Sequence, residues 1–339
     1  MAKPQKQYNQ AEEPDQDCES QDSGLAIHIP VLLEEILSNL EYPSNGTIID
    51  CTVGQAGHSR ALAQKLSEDG TLIGLDVDTN SLGLARENLA DVKCHKSLIH
   101  SNFGHISKVV ADNNIGPVNI ILADLGFSSA QIEDPARGMS FQHDGPLDMR
   151  LSCGLDSENE EHLQTAADLV NRLGEKELAD IIFQYGEERK SRRIAAAIVE
   201  QRRKCRIETT SQLSELIVKV VGFGPRPKNR KRRPIHPATR TFQALRIAVN
   251  DELGQLEKLL NSATEILAPG GMIAIICFHS LEDRIVKYNF RDNKMAKIYE
   301  ILTKKPIIAN EAETSLNPRS RSAKLRIARK MSTELLELK

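Results

Sequence analysis

The chain has 339 residues, 40% of them hydrophobic, and a formal net charge of −3. That length holds one large domain or two ordinary ones with a real core, and no apolar run approaches a membrane span. The six cysteines are scattered without a CxxC pair, which excludes a disulfide framework and fits a reducing compartment.

Taken in chain order, residues 1–27 carry two lysines against six acids, a net of −4, and almost no apolar side chains. They read as a disordered acidic tail, without the apolar stretch of a signal peptide or the arginines of a transit peptide. A helical pattern covers Ile29–Leu40. A strand over 47–53 then enters a glycine turn, Gly54-Gln-Ala-Gly-His58, and a helix follows with Ala61, Leu62 and Leu66 inward. A second strand, 71–76, ends on Asp76, nineteen residues beyond Gly57. Glycines let backbone approach a ligand, the following helix points its positive end there, and a carboxylate at that distance reaches both hydroxyls of a ribose. An adenosine-like cofactor on a Rossmann-type sheet is the reading.

Ser81–Leu89 reads as a helix, Leu98–Ser101 as a short strand leading to Asn102-Phe103, and Val118–Asp124 as a buried parallel strand. Strand–helix alternation predicts a doubly wound parallel sheet. It stops after Asp124. Residues 135–235 show loop sequence and then helical patterns near 161–171, 175–185, 187–203 and 210–221. One long amphipathic helix is expected from Phe242 to Leu267, stopped by Ala268-Pro-Gly-Gly271, with a buried strand over Met272–Phe278. Ala323–Ala328 is expected to close the sheet edge. The architecture is thus a sheet with a helical insertion between its fourth and fifth strands. The expected division is 1–27, 28–134, 135–235 for the insertion, and 236–339.

Charge is uneven. Residues 187–233 hold fifteen Lys/Arg and five Glu, a net of +10, densest over Arg226–Pro234. Beside a nucleotide-type fold this reads as a polyanion footprint. Arg192, Arg193, Arg202 and Arg203 are expected outward and Ile194, Ala195, Ile198 and Val199 inward. No metal is expected, since His95, His100 and His105 recur every five residues and share no face.

The turn is Gly54-x-Ala56-Gly57, not the GxGxxG of a pyrophosphate binder. Asp50 at the strand end would repel a pyrophosphate and suits the ammonium of a methionine moiety. These points favour a methyltransferase over a nicotinamide dehydrogenase.

Further motifs are specific. They are Asp124-Leu-Gly-Phe-Ser-Ser-Ala-Gln131, Arg137-Gly-Met-Ser-Phe-Gln-His-Asp-Gly-Pro-Leu-Asp-Met-Arg150, Tyr185-Gly-Glu-Glu-Arg189, His236-Pro-Ala-Thr-Arg-Thr-Phe-Gln-Ala-Leu-Arg-Ile247, Phe278-His-Ser-Leu-Glu-Asp-Arg284 and Asn317-Pro-Arg-Ser-Arg-Ser-Ala-Lys-Leu-Arg326. In this order, from about His28 to about Arg329, they closely resemble the ribosomal RNA small subunit methyltransferase H, or MraW, family.

The resemblance implies a cytoplasmic enzyme that uses S-adenosyl-L-methionine to methylate N4 of one cytosine in the decoding region of 16S ribosomal RNA. Its substrate would be that RNA or the small ribosomal subunit; the oligomeric state, monomer or dimer, is left open. It implies cofactor contacts from Ala56, Gly57, His58, Asp76, Phe103, Asp124 and Gln131, and a substrate-side role for the insertion. Asp124 is the candidate catalytic group, as acceptor of an amine N–H, unless it serves only the cofactor. Alanine at 56 departs from the family's usual glycine, and a positive φ there would cost about 1 kcal/mol or more. Asp148 with Arg150 reads as a local ion pair or a substrate contact. His236 and Arg240 would cap a helix or touch phosphate. His279 falls at the active edge of the sheet, and Phe127 or Phe141 could stack on a base.

Overall fold

The computed structural model describes residues 29–127, 129–151, 164–223 and 235–332. The acidic tail and the basic run Arg226–Pro234 lie outside these residues. The strands are β1 (Thr47–Asp50), β2 (Thr71–Asp76), β3 (His95–His100), β4 (Val118–Asp124), β5 (Leu267–Cys277), β6 (Tyr299–Ile301) and β7 (Lys324–Lys330). They form one sheet in the order β3-β2-β1-β4-β5-β7-β6. The first five are parallel, while β7 runs antiparallel to both β5 and β6. The edge expected at Ala323–Ala328 is therefore wrong: β7 is interior and the three-residue β6 lies outside it. The order departs from the 3-2-1-4-5-6 arrangement of dinucleotide folds at this end.

Helices around the sheet are α1 (Leu33–Asn39), α2 (Gly57–Ala63), α3 (Thr79–Asn88), α4 (Ile106–Asp112) and α5 (Ser129–Glu133). Between β4 and β5 follow α6 (Ala166–Arg172), α7 (Glu175–Gly186), α8 (Ser191–Lys204), α9 (Thr210–Val221), α10 (Thr239–Asn250) and α11 (Glu252–Ile266). Beyond β5 lie α12 (Ser280–Met295) and α13 (Glu311–Leu316).

Successive strand residues face opposite sides, and both sides are buried. Ile48, Ile120 and Leu122 join a core with Leu62, Leu82 and Ile276. Ile49, Ile121 and Ala123 join another with Leu256, Leu260 and Phe290. A third core holds Leu147, Ile182, Ile198, Leu213, Phe242 and Leu245, and reaches Val249. Reciprocal capping boxes at Thr165 and Asp168 and at Thr209 and Gln212 start α6 and α9.

The single helix expected over 242–267 is two. Asp251 sits at φ 47, in the left-handed region, between α10 and α11. The reason is geometric: α10 turns Phe242 and Leu245 into the third core, whereas α11 turns Leu256 and Leu260 into the sheet. A straight helix cannot serve both. Asn250 fixes the break, accepting from Leu151 N–H at 2.9 Å and donating to Met149 carbonyl at 2.8 Å. The Ala268-Pro-Gly-Gly271 stretch is likewise inside β5, not before it. It forms an irregular register against β4, with Gly270 at φ 80. β1 ends at Asp50, earlier than expected, because the chain turns there.

Leu245 is completely buried where α10 meets the third core. Leu245→Ala is expected to cost about 2–5 kcal/mol, read as a lower urea midpoint with an unchanged slope.

Candidate active site

Parallel sheets bind ligands beyond the carboxyl ends of their strands, where the strand order reverses. Here that point lies between β1 and β4, and a cavity of about 440 Å³ opens there. Of the seven cofactor positions expected, Gly57, His58, Asp76, Phe103, Asp124 and Gln131 line it. Ala56 does not. It is buried in the sheet core and caps α2 with φ 66. The residue therefore takes the conformation that favours glycine, and its methyl faces hydrophobic neighbours, not a ligand.

The turn is held from beneath by carboxylates. Asp50, at the end of β1, is buried; its two oxygens accept from Thr52 N–H at 3.1 Å and Ser59 hydroxyl at 2.6 Å. Burial pushes its carboxyl up, against the pull of the Ser59 bond. Asp50 is absent from the cavity lining, so the expected contact with a cofactor ammonium is replaced by a structural role. Asp76 ends β2 and accepts from Gly54 N–H and Asp78 N–H, each at 2.9 Å. Those bonds leave it acceptor capacity toward the cavity, as ribose recognition needs. Burial pushes its carboxyl up to about 6.

Gly54 has φ 50, which its missing Cβ permits. Gly57 is required differently: a Cβ there would lie 2.5 Å from Pro30 Cγ. The residues ahead of α1 are thus part of the wall. His58 donates from Nε2 to the Val31 carbonyl at 2.8 Å, which turns its Nδ1 toward Asp124 at 3.8 Å. Ile29 and Leu32 are strapped from the far end of the chain: Asn317 donates to the Ile29 carbonyl at 3.0 Å, and Glu313 accepts from Leu32 N–H at 2.7 Å. Arg319 completes this side, 3.5 Å from Glu133 of α5.

Asp124, at the end of β4, accepts from Gly126 N–H at 3.0 Å. Beyond it the cavity continues between Phe127, Leu151, Glu252, Phe278 and Glu282. Arg246 lies 3.8 Å over the Phe127 ring and grips Glu252 with two bonds of 2.8 and 3.1 Å. The sequence reading assigned Arg246 and Glu252 no role. Arg246 lay within a motif, but Glu252 fell in the middle of the single helix expected over 242–267.

Other expectations resolve locally. Arg150 pairs with Asp148 through two bonds of 2.7 Å. His236 accepts from Ala238 N–H through Nδ1 and stacks on Phe141, which packs on Phe242. Arg240 meets Glu188 at 3.6 Å. His279 caps α12 in a reciprocal box with Glu282 and does not line the cavity. Glu252, His279 and Glu282 do bring ligand-type atoms within 4.8 Å of one another. In this arrangement Arg246 already neutralises Glu252, and the N–H groups of Phe278 and His279 hold Glu282.

Depth, an acid at the β2 end, an aromatic at Phe103 and glycine-lined backbone together fit an adenosine-bearing methyl donor. The family model described as the MraW methylase family matches residues 25–331. A relative from Koribacter versatilis is 46% identical over 308 residues, covering 89% of this chain and 93% of that one. One from Clostridioides difficile is 42% identical over 320 residues, covering 90% and 99%. Both are called ribosomal RNA small subunit methyltransferase H.

At Ala56, relief of left-handed strain opposes the loss of a buried methyl and added chain entropy, each about 1 kcal/mol. Ala56→Gly should therefore stay within about 1 kcal/mol of the parent, while the β-branched Ala56→Val should lose about 2 kcal/mol or more, both from thermal melts. At Asp76, the raised folded value means its stabilising contribution is full below 3.8 and lost as pH rises through about 6. Ribose hydroxyls donate to the anion, so binding releases protons near that value. Calorimetry should show S-adenosylmethionine affinity falling about tenfold from pH 7.5 to 5.

Proposed function

We infer that the chain, which belongs to the MraW methylase family, methylates N4 of one cytosine in the decoding region of 16S ribosomal RNA. It is an S-adenosyl-L-methionine-dependent methyltransferase. The observation that carries the finer reading is the family match over residues 25–331, whose curated relatives bear a ribosomal RNA name, together with a cavity that extends past the cofactor positions toward the helical segment.

The bound cofactor supplies an electrophilic methyl group. The chain's own residues do the rest. Asp76 takes the ribose, Phe103 flanks the base, and Gly57 with Gln131 shapes the methionine end. Asp124 stands where this end meets the deeper part of the cavity. Its Gly126 bond and its approach to His58 support a cofactor-holding role over a role as amine acceptor. The amine of cytosine is a weak nucleophile, its lone pair drawn into the ring. Holding it in line with the methyl group can contribute several kcal/mol, on the order of 7 or more. The target base must first leave its stack.

The helical segment 135–235 is proposed as the substrate side. On α8, Ile194, Ala195 and Ile198 are buried, while Arg192, Arg193 and Arg203 are exposed. Arg202 differs from its expected outward place: it is half-buried and donates to the Val170 carbonyl at 2.8 Å. Arg192, Arg193 and Arg203 are the exposed arginines proposed to meet phosphate, Arg193 also donating to the Val220 carbonyl at 3.3 Å. No helix among the described residues is long and apolar enough to cross a membrane, and a cytoplasmic site of action fits the proposed substrate.

Incubation with labelled S-adenosylmethionine and small subunits lacking the modification should label a single cytosine; no label would sink the assignment. Replacing Arg192, Arg193 and Arg203 by Gln should weaken RNA binding uniformly. The slope of log affinity against log salt should flatten by about 2, while cofactor affinity stays unchanged.

A further inference from the structure

The cavity lining holds a largely buried carboxylate beside the break between α10 and α11. It belongs to Glu252, whose side chain is only 10% exposed. A carboxylate taken that far from water is costly unless its lone pairs are used. Two lone pairs are used by Arg246, which α10 delivers across the break at Asp251 and which the Phe127 ring holds flat. A carboxylate has about four acceptor positions, so the face toward the cavity can accept more.

The surroundings match a flat, amine-bearing ring. Phe127 and Phe278 supply aromatic walls, and Leu151 reaches in from the segment that Asn250 anchors. The groups facing Glu252 are Arg246 from α10 and His279 and Glu282 at the start of α12. Glu282 is turned inward to the N–H groups of Phe278 and His279. Asp124 is engaged on the cofactor side. Glu252 is therefore the acceptor best placed for a donor entering from the helical segment.

We propose that Glu252 accepts the N–H of the exocyclic amine on the target base, and so selects cytosine over uracil. This rests on the reading of the chain as a cytosine-N4 methyltransferase. A uracil would turn a carbonyl oxygen toward the same carboxylate and be repelled. As the nitrogen lone pair forms its bond to the methyl carbon, the carbon–sulfur bond breaks and its electron pair stays on sulfur. Positive charge grows on the amine, and the Glu252 carboxylate stabilises it and takes the proton that the nitrogen releases. Burial holds the Glu252 carboxyl above its ordinary value, which suits a group that must receive a proton.

Glu252→Gln keeps the shape and removes the charge. With small subunits lacking the modification, kcat should drop about 10²-fold or more. S-adenosylmethionine affinity and subunit affinity should stay within about threefold, and Glu252→Asp should recover part of the rate. A second measurement needs no variant: ligand-observed NMR on the cofactor-loaded parent should show saturable cytidine binding and at least about tenfold weaker uridine. A Glu252→Gln rate within threefold of the parent overturns the proposal. So does equal binding of the two nucleosides, or stoichiometric Mn²⁺ binding that the variant loses. If the parent labels no cytosine, the methyl-transfer reading falls, and the nucleoside comparison still decides Glu252.

Discussion

Three adjacent strands, β1, β2 and β4, each end on an aspartate, and the site depends on how those three negative charges are kept apart. Asp50, Asp76 and Asp124 converge at one edge of a buried sheet, where like charges repel with little screening. Each is satisfied by N–H or O–H groups of the turn that follows its own strand or its neighbour's. The turns are thus shaped by the carboxylates, and the cavity is the space those turns leave. Asp50 is consumed inside the protein, whereas Asp76 and Asp124 line the cavity. Burial raises the carboxyls of both Asp50 and Asp76, yet only Asp76 reaches the cavity.

The second determinant is the break at Asn250 and Asp251. It lets one stretch of chain pack into two separate cores, and it brings Arg246 and Glu252 together across the bend. The helical segment is joined to the sheet a second time by Glu187, at φ 50, which accepts from Ser280 at 2.8 Å and meets Arg284 at 3.1 Å. Of these two seams, the first reaches the cavity through Glu252. The helical core thus meets the sheet side through directional polar contacts, in contrast to the apolar packing inside each core.

Much of this was legible in the residues. β2 and β4 have the expected bounds because their apolar runs are continuous and each ends on an acid. Six of the seven residues expected at the cofactor line the cavity because turn glycines, an acid at a fixed distance and the Asn-Phe pair are local signals. What failed was non-local. Periodicity runs unbroken through Asp251, since the apolar spacing is correct on both sides and only the destination of the face changes. Asp50 looked like a ligand because its partner Ser59 meets it only after the turn closes. The proline and glycines of 268–271 read as a stop, yet an irregular strand register can hold them. Glu252 carried no signal at all: its importance comes from Arg246 and from the cavity, neither visible in spacing.

The strap between the two ends of the chain has a consequence for synthesis. Ile29 and Val31 line one side of the cavity, yet Asn317 and Glu313, which hold Ile29 and Leu32, are made nearly three hundred residues later. Domains emerging from the ribosome fold from the amino end onward, so β1, β2 and β4 are present long before this wall is fastened. The nascent protein has an open groove where the finished one has a cavity. A chain truncated before α13 would keep the sheet's first strands but lack these two bonds.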